Sequence, residues 1–247
     1  MASDSRIEWT EQTWNPVTGC TKVSPGCKFC YAEVMSKRLT AMGTPGYENG
    51  FQLTLHPERL NQPLTRKKAT VYFVNSMSDL FHPDVPDSFI ENVIDVIART
   101  PYHTYQVLTK RAERLPLFFA NRSVPDNMWL GVSVEDKEYG LPRIDMLRLV
   151  NANTRFLSIE PLLEDIGKFD LNGISWVIVG GESGHGARPM KESWALSVKN
   201  QCINSGVSFF FKQWGAWNKD GQRKNKKANG RFLDGKVWDG YPATLSM

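Results

Sequence analysis

Three cysteines, Cys20, Cys27 and Cys30, fall within eleven residues at the spacing C-x6-C-x2-C, and the fourth, Cys202, stands alone. Four cysteines in 247 residues are too few for a disulfide scaffold, so the cluster reads as a set of thiolate ligands. Gly19, Pro25 and Gly26 let the loop bend so that three thiolates can converge ahead of a helix opening at Tyr31. A structural zinc site wants four protein ligands, usually with a second close pair, and the chain has neither a second C-x2-C nor an H-x3-H. Cys202 shares a helix face over residues 193–204 with Trp194, Ala195 and Val198, the pattern of a core thiol. Three thiolates leave one iron of a [4Fe–4S] cluster open to a substrate or cofactor, whereas a purely electron-transferring cluster takes four. The count favours an open, reactive cluster. The competing reading is a zinc-stabilised nucleic-acid-binding protein without catalysis, in which the same three cysteines are joined by a histidine or Cys202.

Elements must hold that loop. Apolar, β-rich runs recur at 70–75, 104–109, 127–134, 154–159, 175–181 and 207–214, each followed by a helical or loop segment, and read as buried parallel strands. A less regular first strand falls at WNPVTG, 14–19. Between the strands, Ile90, Val93, Ile94 and Ile97 follow helical spacing after a cap candidate at Asp87. Tyr31, Val34, Met35, Arg38, Leu39 and Met42 do the same before Gly43, predicting an amphipathic helix. The alternation predicts an α/β fold: a partial or complete (β/α) barrel of about six to seven parallel strands over 1–214, with 215–247 as a basic C-terminal extension.

In such a fold the loops after the strands carry the chemistry, and here they are conspicuously polar. They read GCTKVSPGCKFCYAE, NSMSDLFHPD, TKRAER, SVEDKEYG, IEPLL, GGESGHGARP and KQWGAW. GGESGHG lacks the Gly-Lys-Ser/Thr of a phosphate-cradling loop and reads as a tight turn after a strand. His56, His82 and His103 lie beside prolines and read as turn residues; His185, inside the glycine loop, is the histidine kept as an acid–base candidate.

Composition excludes several classes. With 41% hydrophobic and 23% charged residues the chain can bury a sizeable core. It has no run of about 18 apolar residues, and its start has no basic region followed by an apolar one. The expectation is no membrane association and a cytoplasmic location. The net charge of +4 is concentrated: Lys219 to Lys236 holds seven Lys/Arg against Asp220 and Asp234, a local +5. With Trp217, Phe232, Trp238 and Tyr241 around it, this patch suits a polyanion through phosphate contacts and stacking.

A cysteine triad in the first βα loop, with Phe29 just before the last cysteine, is similar to the radical S-adenosylmethionine enzymes, although their usual spacing is C-x3-C-x2-C. More closely, TWNPVTGCTKVSPGCKFCYAE, NSMSDLFH, LTKR, SIEPLL, WVIVGGESG and FFFKQWG resemble the phage-associated three-cysteine-motif family, which is radical-SAM-like. That resemblance extends over nearly the whole chain. It implies that Cys20, Cys27 and Cys30 ligate three irons, and that the fourth iron takes the amino and carboxylate groups of S-adenosyl-L-methionine. Reductive cleavage, fed by an electron donor, then gives a 5′-deoxyadenosyl radical. Ser76, Ser78 and Asp79 stand where radical-SAM barrels receive the methionyl ammonium, and Ser133 and Glu135 where they contact ribose. Lys110 or Arg111 would meet the carboxylate, and Gly180 and Gly181 the adenine or substrate. Glu160, Glu182 and His185 remain for substrate binding or proton handling, and Lys212, Gln213 and Trp214 close the ring. A phage association and the basic aromatic extension together make a nucleobase in DNA or RNA the expected substrate, modified in the cytosol of a bacterium or of a phage-infected host.

Overall fold

The computed structural model describes Ser5 and residues 7–243. Residues 244–247 of the expected extension, and residues 1–4 and 6 of the expected barrel, lie outside the described residues. Contacts divide the chain into two compact units.

The first unit takes in residues 1–23, 30–131 and 149–153. It opens with β1 (Gln12–Trp14) and the two-residue β2 (Val17–Thr18), and continues through α1 (Tyr31–Ala41) to β3 (Thr54–Leu55), which pairs antiparallel with β2. Then come β4 (Val71–Val74), α2 (Asp87–Arg99), β5 (Thr104–Thr109), the short α3 (Arg114–Phe118) and most of β6 (Met128–Ser133). Strands β1-β4-β5-β6 follow one another in one sheet, with Trp14 opposite Val74 and Val74 opposite Val107 in parallel register. Tyr72 stacks on Tyr105 at 5.3 Å between ring centres, and α2 lays Ile90, Val93 and Ile97 into the core.

The second unit takes in residues 24–29, 132–148 and 154 onward. Its elements are α4 (Leu141–Arg148), β7 (Thr154–Ile159), β8 (Trp176–Gly180), α5 (Glu192–Asn204), β9 (Ser208–Gln213), α6 (Lys226–Asn229) and the hairpin β10 (Phe232–Leu233) and β11 (Lys236–Val237). The last residues of β6 pass the sheet on through β7-β8-β9. All five residues of β8 are buried, as expected of a parallel strand covered on both faces. Seven parallel strands in sequence order make this an α/β fold with the strand order of a partial (β/α) barrel.

Two expectations are corrected. The first strand lies at 12–14, not 14–19: Pro16 has no N–H for a ladder, and Val17–Thr18 turn away to pair with Thr54–Leu55. The apolar row of α1 faces outward, with Tyr31, Val34, Met35 and Met42 all exposed. The inner face is instead Ala32, Ser36 and Leu39, with Ala32 and Leu39 packed in a cluster with Tyr47, Phe51 and Met77. The 44–52 loop makes that choice: Ser36 Oγ donates to the Gly50 carbonyl at 2.6 Å and Thr40 Oγ1 to that of Tyr47 at 2.7 Å. Hydroxyls one turn apart outweigh a mixed apolar row when a loop presents them with carbonyls.

Candidate functional site

In the first unit the site is built around Cys20. Gly19, at φ 78°, donates its N–H to the Met77 carbonyl at 3.0 Å, and Cys20 N–H reaches that of Phe51 at 3.2 Å. Ser78 Oγ donates to the Val17 carbonyl at 2.8 Å, while Asn15 Oδ1 accepts from Ser76 Oγ and from Met77 N–H. The Tyr31 hydroxyl donates to the Ser76 carbonyl. Ser76 and Ser78 thus stitch the loop after β4 to the segment leading into the cysteines.

Asp79, buried behind them, is fully engaged. Its Oδ1 accepts from Thr109 Oγ1 at 2.7 Å and Phe81 N–H at 3.0 Å; its Oδ2 accepts from Lys110 N–H at 3.0 Å and Arg111 Nη1 at 3.1 Å. Arg111, only 4% exposed, also directs Nη1 at Cys20 Sγ, 3.4 Å away, and Nη2 at the Thr21 carbonyl and hydroxyl at 2.9 and 3.0 Å. Burial would push the Arg111 pKa down, but the Asp79 carboxylate and the Cys20 sulfur reverse this and hold it above its ordinary value. His82 lies 2.8 Å from Thr21 Oγ1 through Nε2, and its Nδ1 accepts from Asp84 N–H at 3.2 Å. The proton of the neutral ring therefore sits on Nε2. Burial, with the nearby Arg111 charge, lowers the ring's pKa and so favours the neutral form.

The second unit holds Cys27 in the short 3-10 turn Pro25–Cys27. Ser24 Oγ lies 3.8 Å from Cys27 Sγ and donates to Glu135 Oε1. Glu135 is fully buried, and Arg143 Nη1 joins its Oε2 at 2.6 Å to the Ser133 carbonyl at 2.8 Å. Glu160 pairs with Lys212 Nζ at 3.2 Å. A Cβ on Gly181 would fall only 2.0 Å from the Trp214 carbonyl, a backbone atom that cannot give way, so glycine is required there; one on Gly180 would displace the Glu160 carboxylate, whose Oε1 would lie 2.3 Å away. Gln213 Nε2 donates to the Gly181 carbonyl at 2.8 Å, and the buried Trp214 indole donates to Phe232. Glu182 is gripped by Arg188. His185 stands on the exposed tip of the same loop, where its carbonyl accepts from Arg223.

The sequence-predicted residues therefore fall into local groups: Cys20, Asp79, Lys110 and Arg111; Ser76 and Ser78; Ser133 and Glu135; Glu160, Gly180 and Lys212; Gly181, Gln213 and Trp214. Thr21, Thr109, Ser24, Arg143 and Arg188 were not among them, yet each closes one of these networks. Arg143, eight residues past Glu135 in α4, and Arg188, six past Glu182, carry a legible signal, since each follows a strand-end acid at loop-closing distance. Thr21 and Thr109 carry none.

The donor set suits an iron–sulfur cluster. Cys20, Cys27 and Cys30 are in no disulfide and each is half-buried. Cys202 is removed from any ligand set, wholly buried on α5 with its thiol pushed up to about 12 by burial. An N–H donor aimed at Cys20 sulfur is the kind of contact that cluster-bound thiolates accept. Among the described residues no three His, Cys, Asp or Glu side chains gather as a single metal ion would need.

In the extension, Trp217 and Trp238 are half-buried, their indoles donating to the Ala187 and Leu233 carbonyls, and Tyr241 stacks on Trp176. Phe232 keeps an open face at 63% exposure. Lys219, Arg223, Lys224, Lys227 and Lys236 are exposed. No described helix is long and apolar enough to cross a membrane.

Fold and strand order define an α/β protein of partial (β/α)-barrel class. The chain belongs to the family described as a protein of unknown function, DUF5131, whose sequence pattern matches residues 4–242. No curated protein matches it. Among solved structures, a cysteine-to-alanine mutant of spore photoproduct lyase with dinucleoside spore photoproduct is similar in fold, with a TM-score of 0.50 at 13% identity. The match covers 81% of this chain and 63% of that one. Spore photoproduct lyase complexed with dinucleoside spore photoproduct gives 0.48 at 13% identity over 81% and 63%, and a doubly substituted form with bound AdoMet and the same dinucleoside gives 0.47 at 13% over 73% and 58%. The chain thus spans less than two thirds of the length of these neighbours.

Proposed function

We propose that this chain is a radical S-adenosylmethionine-like enzyme whose substrate is a nucleobase in DNA or RNA. The observation that carries the reading is the position of the three clustered cysteines. They occupy the loop between β1 and α1, the first βα loop of a parallel sheet with partial-barrel order. In this reading Cys20, Cys27 and Cys30 would hold a [4Fe–4S] cluster with one iron left open for S-adenosylmethionine. Such a cluster, once reduced by an electron donor, supplies the electron that cleaves the cofactor's C–S bond and so yields a 5′-deoxyadenosyl radical.

The chain's own residues bind and orient. Ser133 and Glu135, held by Arg143, support the Cys27 turn and the ribose side of the cofactor. Glu160 and Lys212, paired at 3.2 Å, form a polar patch at the ends of β7 and β9 for a hydrogen-bonding substrate edge. Glu182 is held by Arg188 at 2.6 Å, while His185 on its exposed loop is the acid–base candidate of this reading. The exposed lysines of the extension would hold phosphates, with Phe232 as a stacking face. The fold neighbour at TM-score 0.50 holds a dinucleoside, the ligand class assigned here.

The test is made on protein purified and reconstituted without oxygen, beside a Cys27→Ala control. Iron, sulfide and zinc are counted, and reductant-dependent release of 5′-deoxyadenosine is measured. About four irons, with release abolished in the control, support the reading. One zinc and no release would replace it with the structural-metal module.

A further inference from the structure

Asp79 and Arg111 are natural nominees for gripping the ammonium and carboxylate of a sulfonium cofactor, yet the geometry gives them other work. The four acceptor positions of the Asp79 carboxylate are taken by Phe81 N–H, Thr109 Oγ1, Lys110 N–H and Arg111. Arg111 places one hydrogen of Nη1 on Asp79 and the other toward Cys20 Sγ, while Nη2 holds both oxygens of Thr21. Both side chains are almost wholly buried, so neither swings out cheaply.

We propose that Arg111 is a positioning residue for Cys20. Locked by Asp79, it donates a charge-assisted N–H···S hydrogen bond that fixes the first cysteine of the triad and raises the reduction potential of the cluster this cysteine would bind. The proposal rests on the cluster reading above. A reduced cluster carries one more negative charge than an oxidised one, and a fixed cationic donor at a ligating sulfur stabilises it preferentially. Thr109, at the end of β5, and the Lys110 N–H orient the carboxylate that orients the arginine. The Thr21 contacts keep the guanidinium plane from rotating off the sulfur. A lysine at 111 would supply charge without the fork that reaches Asp79, Thr21 and Cys20 together.

Arg111→Gln alone would strand the buried Asp79, so the informative variant is Asp79→Asn/Arg111→Gln, which removes both charges and keeps a hydrogen-bonding pair. Arg111→Lys is the milder companion. Wild type and both variants are reconstituted without oxygen. Iron and sulfide are counted, the cluster midpoint potential is measured by electron paramagnetic resonance in a redox titration, and folding is followed by circular dichroism. We expect the double variant to shift the midpoint to a more negative potential and Arg111→Lys to shift it less in the same direction. Loss of iron from a variant that melts like wild type supports the positioning role equally. If the double variant fails to fold, the Arg111→Lys shift decides. Full clusters with an unchanged midpoint overturn this inference alone; a wild-type protein that binds no cluster overturns the reading beneath it, and the inference with it.

Discussion

Arg188 holds Glu182 by three hydrogen bonds: its backbone N–H and Nε reach Oε2 at 2.8 Å, and Nη2 reaches Oε1 at 2.6 Å. The same Nη2 donates to the Pro25 carbonyl, and the guanidinium lies 5.5 Å from the Phe29 ring centre. Hydrogen bonding to Glu182, against a smaller cost of burial, raises the Arg188 pKa. The pair therefore braces the glycine loop and the turn that carries Cys27, both within the second unit.

Arg188→Ala should cost about 2 kcal/mol, because it leaves the buried Glu182 carboxylate without its partner, less whatever the partly exposed guanidinium loses to solvent screening. Denaturant unfolding measures it. An unchanged midpoint would show that Glu182 finds water instead.

Mild acid should weaken the fold through its buried histidines. His56 and His103 are both lowered from 6.5, mainly by burial. His103 Nε2 faces the Pro63 and Arg66 carbonyls, while its Nδ1 is buried with no partner among the described residues, so a second ring proton has nowhere to go. The folded state thus prefers neutral rings. Their contribution is complete above 6.5 and is lost as pH falls below it toward the lower folded values. Melting temperatures between about pH 7.5 and about pH 5 should fall, and His103→Gln should flatten the slope. A melting temperature independent of pH in that window contradicts this.

Charge reversal at Lys219, Lys224 and Lys227 should leave stability within about 0.5 kcal/mol of wild type, since all three are exposed. If they touch phosphates, affinity for a single-stranded oligonucleotide falls and the slope of log affinity against log salt drops by roughly 2, at about 0.7 per contact. Fluorescence anisotropy at several salt concentrations reads both; an unaltered slope removes the extension from the binding surface.

Cys202→Ala should keep iron, zinc and cofactor cleavage at wild-type levels while costing about 1 kcal/mol for the small cavity beneath α5. Metal lost in this variant would return Cys202 to the ligand set.

What was legible in the sequence follows from what is local. WVIVG and MWLGVS are continuous apolar runs because parallel strands are buried on both faces, and they announce themselves. β1 does not: it is three residues long, with Gln12 and Thr13 in two of them. The cysteine loop is a local motif, so its spacing could be read directly. The partner of Cys20 could not, because Arg111 lies 91 residues away and nothing around it distinguishes a core arginine from a surface one. The outward turn of α1 was hidden for a related reason: the carbonyls that claim Ser36 and Thr40 belong to a loop whose path no periodicity reports.

The segment 238–241 was read first as charge and aromatic surface, but its backbone does something else. Phe211 N–H donates to Trp238 and Gly240 N–H to Phe209, so this stretch lies antiparallel along β9, the last strand in the order. An uncovered strand at the end of a sheet is a template for pairing with other chains, and the extension here acts as its selvedge. Trimming it to remove the basic patch would bare the ladder groups of Phe209 and Phe211 in one of the most aromatic strands of the molecule. Self-association, rather than weakened polyanion binding, would then dominate what a truncation reports.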